Sequence, residues 1–520
     1  RRQRQMCIRD RYTVAKVYAK IEVSTIKFAK DGVEISNYKS EDKMFFGPLT
    51  EVSVLNEGEN FDVINPSTEK MYAKISLGSK EDLDLAVRAA RDAFESWAFS
   101  DVNERISLVE DFISLYDKRS SDMAEAISTE MGAPIKMATN DQVTAGSKHM
   151  KNFISAMKNF KFEQPLRSDT PDEQMIYEPI GVCGLITPWN WPMNQVTLKV
   201  IPAILTGCTM ILKPSEIAPM SSLLFSEMMD EIGFPPGIFN LINGDGPTVG
   251  EAMSAHPDID MMSFTGSTRA GIAVSKGSAN TIKRVSLELG GKGANVIFSD
   301  SDVKSAVKRG SDRVLKNSGQ SCNAPTRMLV EKSSYEEAVS YAKEIFNSTS
   351  VDSSDKQGDH IGPVVSRTQF DKIQDLIQSG IDEGAELVTG GTGRPEGLTQ
   401  GYYIKPTVFA NVNNEMRIAR EEIFGPVLSI IPFQSEDEAV EIANDTNYGL
   451  THYVQSGDKD RTQRMARRLR AGMVEVNGAG RAPGSPFGGS KQSGNGREGG
   501  MHGLLEFVEL KAVSGWNVTS

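Results

Sequence analysis

The sequence has few cysteines and histidines, and neither residue type is grouped in the way that a metal site requires. The four cysteines are Cys7, Cys183, Cys208 and Cys322, and the five histidines are scattered over 520 residues. Since none of them shows metal-ligand spacing, no metal is expected. Four thiols in so long a chain do not make a disulfide framework either, and this usage predicts a reducing, cytoplasmic compartment.

Long apolar runs and an excess of positive charge are also lacking. The best candidate for a membrane span, residues 200–212, is interrupted by Pro202, Gly207 and Thr209. No apolar segment followed by a small-residue cleavage site stands near residue 1, so no secretory signal is expected. The formal net charge of −12 argues against a nucleic-acid partner. The composition is that of a globular protein that needs neither a membrane nor a nucleic acid.

The length and the pattern of apolar runs predict a multidomain α/β protein. A chain of 520 residues exceeds one ordinary core, so two or three domains are expected. Ser79 is predicted to cap a helix whose apolar residues recur at helical spacing. Helical segments then alternate with short strands, which are predicted at residues 180–186, 209–212, 238–242, 261–264 and 285–287. This alternation predicts a doubly wound parallel sheet, in which ligands bind at the carboxyl ends of the strands.

The rest of the chain divides into three kinds of segment. A second alternating region spans about residues 291–476, with strands predicted at 294–298, 327–330 and 427–432. The glycine-rich stretch 478–500 lies between an apolar strand and an apolar tail, which favours an ordered loop near a ligand over a flexible linker. Residues 1–42 show no clean periodicity and are predicted to be an extra segment outside the folded unit, disordered or not native. A basic nucleic-acid arm is the alternative.

Cys322 is the candidate nucleophile. Its neighbours in Asn-Ser-Gly-Gln-Ser-Cys-Asn-Ala-Pro are small and polar, whereas a buried structural cysteine usually has apolar ones. A thiol becomes nucleophilic where its thiolate is favoured, near a helix N-terminus or a positive partner. From the local sequence alone, a half-exposed cysteine without a function is an equal possibility. Cys183 and Cys208 lie in apolar strands and are interpreted as packing residues.

Glu288 and Asn190 are polar residues in places where polarity has few structural uses. Glu288 stands between two leucines at a strand end, surroundings that raise a carboxyl pKa and suit a general base. The alternative is a rim glutamate bonded to loop amides. Asn190 lies in Thr-Pro-Trp-Asn-Trp-Pro, a stiff platform for the fixed amide that an oxyanion site needs. Here the alternative is an asparagine that makes a turn.

Two further strand ends have features of a nucleotide site. Lys213-Pro-Ser-Glu216 places a lysine and an acid where both reach a ribose, and the acid favours NAD because it repels a 2′-phosphate. A surface ion pair is the alternative. In Phe264-Thr-Gly-Ser-Thr-Arg-Ala-Gly271, Ser267 is a candidate helix cap beside N–H groups that suit a pyrophosphate. This spacing matches neither common phosphate-loop pattern, so it is a weak signal by itself.

Together these segments resemble the aldehyde dehydrogenase superfamily, of the hydrolytic type that uses NAD(P). The matching pieces occur in family order from about residue 43 to the C-terminus. They are Thr187-Pro-Trp-Asn-Trp-Pro192, Lys213-Pro-Ser-Glu216, Phe264-Thr-Gly-Ser267, Leu287-Glu-Leu-Gly-Gly-Lys292, Gly319-Gln-Ser-Cys322, Glu422-Ile-Phe-Gly-Pro426 and Pro486-Phe-Gly-Gly-Ser-Lys491. Seven motifs in order make coincidence a poor explanation.

The resemblance implies an α/β fold of three parts. A Rossmann-like NAD-binding domain would span residues 43–168 and 182–290, and an α/β catalytic domain would span residues 291–487. A small β oligomerisation arm would comprise residues 169–181 and 488–520, with a strand near residues 174–178 paired to the tail after about Met501. Family members are usually dimers or tetramers, so a homo-oligomer is expected.

The resemblance also implies the chemistry. Cys322 would attack the aldehyde, Asn190 and the Cys322 backbone N–H would form the oxyanion hole, and Glu288 would activate water to hydrolyse the thioester. Lys199 and Glu498 fall where some relatives have a buried proton-relay pair. The cofactor would be NAD, with NADP possible, and its contacts would be Ile186, Thr187, Pro188, Trp189, Lys213, Ser215, Glu216, Gly246, Gly266, Ser267, Leu289, Gln369, Glu422 and Phe424.

Two other functions remain open, together with the identity of the substrate. A CoA-acylating relative would transfer the acyl group to CoA, although such relatives generally lack the glutamate at the Glu288 position. A non-catalytic module that keeps the fold is the second alternative. Ester hydrolysis by the Cys322 thiol without hydride transfer is conceivable as a side activity. The residues expected to face a substrate tunnel are Trp191, Asn194, Gln195 and Leu198. Because Asn194 and Gln195 are polar, they favour a substrate chain with a polar group.

Overall fold

The computed structural model describes residues 60–518 and, before them, two paired strands, Lys27–Ala29 and Gly32–Glu34. Apart from those strands, the predicted extra segment 1–42 lies outside the described residues. Within the described part, no helix is both long and apolar enough to cross a membrane. The strands Asn60–Asn65 and Lys70–Ser76 then form an antiparallel hairpin that leads into the first helix.

The first helix shows how local sequence sets the fold. The Ser79 side chain accepts a bond from the backbone N–H of Asp82, and the Asp82 carboxylate accepts one from that of Ser79, so both ends of a capping box are present. Leu83, Val87 and Ala90 are buried on one face. That face packs against the strand Thr209–Lys213. The predicted cap at Ser79 is therefore confirmed.

A five-stranded parallel sheet forms the centre of the first half. Its order across the sheet is Arg284–Glu288, Met261–Thr265, Val182–Ile186, Thr209–Lys213 and Phe239–Leu241. The chain adds strands to one side of Val182–Ile186 and then to the other, as in a Rossmann-like sheet. The order therefore reverses between Val182–Ile186 and Met261–Thr265, which is where ligands bind in such sheets.

The helices of this half cover the sheet and extend beyond it. They are Lys80–Trp97, Val102–Lys118, Ser120–Met131, Ile135–Met137, Thr144–Met157, Pro192–Thr206, Met220–Ile232, Glu251–Ala255 and Thr268–Ser278, with π-helical turns at Ala138–Val143 and Gly246–Gly250 and a 3₁₀ turn at Ala279–Thr281. Pro192 stands at the first position of its helix, where a missing N–H costs nothing, and Gly207 ends that helix in the left-handed conformation.

A seven-stranded sheet forms the centre of the second half. Its order is Glu386–Thr389, Thr407–Ala410, Val427–Phe433, Arg327–Glu331, Ala294–Ile297, Thr451–Gln455 and Met473–Val476, and only the first pair is antiparallel. The helices are Val303–Leu315, Tyr335–Ser348, Arg367–Asp382, Arg417–Arg420, Glu436–Asn444, Lys459–Arg468 and Gly500–Leu505, with 3₁₀ turns at Lys316–Gly319, Lys332–Ser334 and Lys491–Ser493.

A small antiparallel sheet joins the end of the chain to its first half. The strand Val508–Ser514 pairs with Glu173–Pro179, which also pairs with Glu163–Pro165. The predicted pairing between the segment 174–178 and the tail is confirmed. All five strands predicted between residues 180 and 287 are also present, each with a shift of at most three residues at its ends.

Candidate active site

Cys322 lies in a sharply turned loop between the two halves of the molecule. The 3₁₀ turn Lys316–Gly319 precedes it, and three successive residues, Asn317, Ser318 and Gly319, have positive φ angles. A side chain on Gly319 would collide with the backbone of Gly425, so only glycine fits this close approach. The loop conformation is therefore set by packing against its neighbours.

Asn190 is held against this loop by a set of amide hydrogen bonds. The Asn190 side-chain nitrogen donates to the carbonyl oxygen of Gln320 at 3.0 Å. The backbone oxygen of Asn190 accepts from the side-chain amide of Gln142 at 3.1 Å and from that of Asn317 at 2.8 Å. One hydrogen of the Asn190 amide is thus used within the protein, which fixes the direction of the second.

A cavity of about 860 Å³ opens beside Cys322. Its walls include all four residues that the sequence assigned to a substrate tunnel, Trp191, Asn194, Gln195 and Leu198. All four therefore line one cavity, and its use by the substrate stays a prediction. Residues 481–485 of the glycine-rich segment also line the cavity. The segment is ordered against the first half, since the strand Arg284–Glu288 bonds to its residues 493–496.

Two hydrogen bonds shape the inner wall of this cavity. The Trp191 ring nitrogen donates to the Ser321 hydroxyl at 2.9 Å, which ties the tryptophan to the residue before the thiol. The His149 ring nitrogen lies 2.8 Å from the Asn194 side-chain oxygen. Burial lowers the pKa of His149, so the ring is neutral at pH 7. The polar atoms of Asn194 are therefore partly occupied by the protein.

The Cys322 thiol is not activated by its surroundings in the way the sequence suggested. Burial raises its pKa to about 12, and the carboxylates of Glu422 and Glu288 add to the increase. Arg481 opposes these effects with the smallest contribution. A positive side chain, Arg481, thus acts on the thiol, but burial and the carboxylates have the larger effect. The protein by itself therefore keeps the sulfur protonated at neutral pH.

Glu288 ends the strand Arg284–Glu288 in an almost dry environment. Its side chain is 3% exposed, and neither carboxylate oxygen has a hydrogen-bond partner among the described residues. Burial and the nearby Glu498 raise the pKa of Glu288 well above its usual range. The alternative of a rim glutamate bonded to loop amides is therefore wrong, because the side chain bonds to no amide.

Lys199 and Glu498 form a buried ion pair next to Glu288. The lysine nitrogen lies 2.7 Å from one carboxylate oxygen of Glu498 and 3.0 Å from the Ser263 hydroxyl. The second Glu498 oxygen has no partner in the described structure, and Glu498 lines the cavity. A row of polar groups thus leads from the cavity through Glu498 to Lys199.

The thiol, the amide and the carboxylate belong to one region. Asn190 bonds to the loop of Cys322, and Glu288 lies near enough to the thiol to raise its pKa. Asn190 and Glu288 are buried, while Cys322 and Glu498 reach the cavity. Segments that are distant in the sequence therefore come together around the Cys322 loop.

The carboxyl edge of the five-stranded sheet brings the predicted cofactor residues together. Each strand of this sheet ends at, or a few residues before, one group of predicted cofactor residues. These groups are residues 186–189, residues 213–216, Gly246, residues 266–267 and Leu289. At this edge Ile186, Thr187 and Leu289 are buried, and Pro188 and Trp189 are partly exposed. The edge includes the switch point of the strand order, where a dinucleotide fits.

Lys213 and Glu216 are a partly buried pair, so the surface ion pair considered above is wrong. The lysine nitrogen donates to the carbonyl oxygens of Gly244 at 2.7 Å and Pro214 at 3.0 Å and lies 3.4 Å from the Glu216 carboxylate. Burial lowers the pKa of Lys213, and Glu216 partly offsets this effect. The Ser215 hydroxyl accepts from the backbone of Ile217, which orders the turn.

The helix Thr268–Ser278 begins at this edge with open backbone donors. Ser267 caps it and accepts from the N–H of Ala270 at 3.3 Å, as predicted. Gly246 begins a second short turn, and a side-chain carbon added at Gly246 would meet open space. The helix N-terminus and this open space together suit an anionic, phosphate-bearing group.

Glu422 and Phe424 approach the same region from the second half. A Glu422 carboxylate oxygen accepts from the N–H of Gly291 at 2.8 Å. The Phe424 ring packs edge-on against Trp189, with 5.5 Å between ring centroids. Gln369 uses its amide differently from the expectation, since it donates to the carbonyl oxygens of Ile423 at 3.1 Å and Phe424 at 3.0 Å. It supports the Phe424 loop.

Several site residues carry no signal in the local sequence. Tyr453, Arg313, Lys148 and Arg481 line the cavity but come from separate elements with ordinary neighbours. Lys292 is 1% exposed with no partner for its nitrogen among residues 60–518, and burial lowers its pKa to about 7. Within the same residues, no three histidine, cysteine or acidic side chains are grouped as metal ligands.

Comparison with known proteins agrees with this geometry. Residues 54–513 match the model of the aldehyde dehydrogenase family. The chain is 50% identical to 3-succinoylsemialdehyde-pyridine dehydrogenase of a Pseudomonas species, over 88% of this chain and 95% of the relative.

Two solved structures extend the comparison. The chain is 59% identical to an aldehyde dehydrogenase of Bartonella henselae, with a TM-score of 0.88 over 88% of this chain and 96% of that one. It is 45% identical to aldehyde dehydrogenase C of Pseudomonas syringae, with a TM-score of 0.88 over 90% of this chain and 96% of that one. The latter was solved with NAD+ and octanal as a cysteine-to-alanine variant. The chain belongs to the aldehyde dehydrogenase family.

Proposed function

We propose that this protein oxidises an aldehyde to the carboxylic acid with NAD, through a thiohemiacetal and a thioester on Cys322. One observation carries the proposal. The Cys322 thiol lines a cavity, the Asn190 amide is bonded to the loop that carries this thiol, and the dry carboxyl of Glu288, at the end of a strand of the parallel sheet, is near enough to raise the pKa of the thiol. Family membership supports the same reaction.

The first step forms a carbon–sulfur bond. The Cys322 sulfur adds to the aldehyde carbon, the thiol proton passes to solvent in the cavity that Cys322 lines, and the carbonyl oxygen becomes an alkoxide. The second N–H of the Asn190 amide and the Cys322 backbone N–H donate to this oxygen. Because hydride leaves carbon only when a negative oxygen pushes from it, these donors stabilise the state that reacts. When bound at the sheet edge, NAD supplies the acceptor for that hydride.

The second step returns the free thiol. Glu288 accepts a proton from water, which attacks the thioester carbon, so the new oxygen of the acid comes from water. The sulfur leaves as thiolate and takes up a proton from solvent, which restores the thiol. The raised pKa of Glu288 makes it a stronger base than an exposed glutamate once it has lost its proton. Glu498 and Lys199 are proposed to pass that proton on toward the cavity.

The residues proposed to hold NAD are those at the sheet edge. Lys213 and Glu216 would bind the adenosine ribose, and the negative charge of Glu216 disfavours the 2′-phosphate of NADP. The backbone at Gly246, Gly266 and Ser267 would face the pyrophosphate. Glu422 would hold the nicotinamide ribose, with Phe424 near the ring. Structures of relatives named as complexes with NAD+ support this cofactor.

The domain division and assembly are proposals as well. The two parallel sheets favour an NAD-binding domain at residues 43–168 and 182–290 and a catalytic domain at 291–487. Residues 169–181 and 488–520 contribute the pair Glu173–Pro179 and Val508–Ser514, whose position at the end of the chain suits an oligomerisation arm. A homodimer or homotetramer is expected, and the elution volume of the purified protein tests it.

NADH formation over a panel of aldehydes tests the reaction. The Cys322→Ala variant should form no NADH while still binding NAD. Cys183→Ala is the matched control, since that thiol is buried in a strand, and it should keep most of the activity. The absence of NADH with every aldehyde in the panel would contradict the proposal.

Two additions to this assay separate the alternatives. A requirement for added CoA would favour the acylating reaction over hydrolysis. Ester hydrolysis under conditions in which no aldehyde yields NADH would indicate a thiol esterase. A chain that binds NAD but is inert in both assays would be the non-catalytic module.

A further inference from the structure

The substrate cavity has an excess of positive charge, although the chain as a whole is acidic. The full sequence has a formal net charge of −12. The cavity nevertheless is lined by five lysine and arginine side chains and by only two carboxylates. The basic residues are Lys148, Lys151, Arg313, Lys316 and Arg481, and the acidic ones are Asp141 and Glu498.

Two of these cations are neutralised by single carboxylates. Lys316 lies 2.8 Å from Asp141, and Lys151 lies 2.9 Å from Asp117. Glu498 is in turn neutralised by Lys199, which lies outside the lining. These pairs contribute no net charge to the cavity.

The remaining cations are not balanced. Arg313 and Arg481 share one carboxylate, that of Glu475, at 2.6 Å and 3.5 Å. Lys148 forms no ion pair with any residue in the described range 60–518. Two positive charges at the cavity wall are therefore without a counter-charge, and a focused field of this kind attracts anions.

Three aromatic side chains of the cavity also make cation–π contacts with cations of the protein. Each of three rings in the lining has a lysine or arginine of the protein over it. The cation and ring centroid are 5.8 Å apart for Lys316 and Trp191, 4.6 Å for Arg313 and Tyr453, and 4.8 Å for Arg481 and Phe487. A substrate cation that approached one of these rings would be repelled by the cation already present.

Arg481 links this positive region to the reacting centre. It stands in the loop 481–485 at the cavity wall, and its charge acts on the Cys322 thiol. Both residues line one cavity, so a substrate with its carbonyl at the sulfur has Arg481 on the wall of the space that holds its other end.

We propose that the substrate is an aldehyde with an anionic group, most simply a carboxylate, at the end remote from the carbonyl. This inference rests on the proposed oxidation of aldehydes and adds the substrate class. Arg481 is the specificity-determining residue. Arg313 supports it, because both arginines are paired with the Glu475 carboxylate. Aldehydes that carry an ammonium group are disfavoured by the same charges.

Three aldehydes of equal length test the proposal. The holoenzyme is assayed for kcat/KM with 4-oxobutanoate, butanal and 4-aminobutanal, which have four carbons each and end in a carboxylate, a methyl group and a positively charged aminomethyl group. We expect the carboxylate to be preferred over butanal by at least about tenfold at low salt, with the ammonium compound last. The preference should shrink as ionic strength rises, because salt screens exposed charges.

The variant Arg481→Gln tests whether Arg481 causes the preference for the carboxylate. It should raise KM for 4-oxobutanoate about tenfold with kcat little changed, because the lost contact is remote from the reacting carbon. The preference for 4-oxobutanoate over butanal, measured as the ratio of their kcat/KM values, should fall about tenfold, whatever change the variant makes in the reaction that both aldehydes share. Arg464→Gln is the matched control, since Arg464 is an exposed arginine outside the cavity, paired with Glu436.

The outcomes separate this inference from the proposed function. Oxidation of butanal without a preference for the carboxylate would overturn the substrate class and leave the reaction standing. An equal loss for all three aldehydes in Arg481→Gln would overturn the role of Arg481 in specificity. If no aldehyde yields NADH, the proposed reaction is overturned and this inference with it.

Discussion

The side-chain nitrogen of Lys199 lies 2.7 Å from a carboxylate oxygen of Glu498, across 299 positions of sequence. The two side chains are 1% and 6% exposed. Each charge is tolerated in the interior because the other is present, and the Ser263 hydroxyl satisfies one more lysine hydrogen. The pair ties the helix Pro192–Thr206 to the segment before the last helix.

Removal of one member of this pair should destabilise the protein strongly. Lys199→Met leaves the Glu498 carboxylate buried and unpaired, so the free energy of unfolding should fall by about 3–5 kcal/mol. Urea unfolding followed by fluorescence measures this change.

The double variant Lys199→Met with Glu498→Gln should recover much of the loss, because no lone charge remains. Lys158→Met breaks an exposed pair with Glu110 and should cost much less. Equal losses in the single and double variants would contradict the account.

Asn190→Ala should slow turnover without loss of NAD binding. The removal of one donor from an oxyanion site typically costs roughly 2.7–4 kcal/mol of barrier, which corresponds to about two orders of magnitude or more in kcat. Steady-state NADH formation and an NAD titration by fluorescence give the two quantities. Because the Asn190 amide also bonds to Gln320, a thermal melt checks that the loop still folds. Near-normal turnover would remove Asn190 from the oxyanion site.

Glu288→Gln should separate the two halves of the reaction. The amide cannot accept a proton, so the thioester should accumulate and NADH should appear as a burst of about one equivalent per site. In the unaltered protein the pKa of Glu288 is raised by burial and by Glu498, and only its deprotonated form is a base. Turnover should therefore increase as pH rises above the range in which an ordinary glutamate titrates, and the variant should lose this dependence. Rapid-mixing traces at several pH values measure both effects.

Alkylation of Cys322 should become steadily faster as pH rises. Its pKa is raised to about 12 by burial and by the Glu422 and Glu288 carboxylates, and only the thiolate reacts. In the absence of NAD, the rate with iodoacetamide should increase about tenfold per pH unit between pH 7 and 10. Mass spectrometry of the labelled peptides gives this rate, and the buried Cys183 and Cys208 are internal controls. A plateau below pH 9 would mean that a cation outweighs the carboxylates.

Much of the fold could be predicted from periodicity. Ser79 and its capping box, the strands that end at Ile186 and Lys213, and the helix that begins after Ser267 all depend on neighbouring residues. A cap or an alternating strand is a local property, so the sequence reports it directly. Family motifs extended the prediction to the pairing of Glu173–Pro179 with the tail.

The charge state of the site could not be predicted in this way. Glu288 was interpreted correctly as a dry carboxyl because its own neighbours are apolar. The sequence named Cys322 as a candidate nucleophile but did not show its charge state, because burial and carboxylates from distant segments raise the pKa of the thiol. Likewise, the role of Gln369 depends on the carbonyl oxygens of Ile423 and Phe424, which lie more than fifty positions away.

The sequence alone determined most of the elements and the family and named the candidate reacting groups, since each of these depends on residues that are adjacent in the chain. The tertiary structure alone decided which charges face one another: Glu498 with Lys199, and two arginines with the single carboxylate of Glu475. Coulomb energies depend on distance and burial, and only the folded chain sets both.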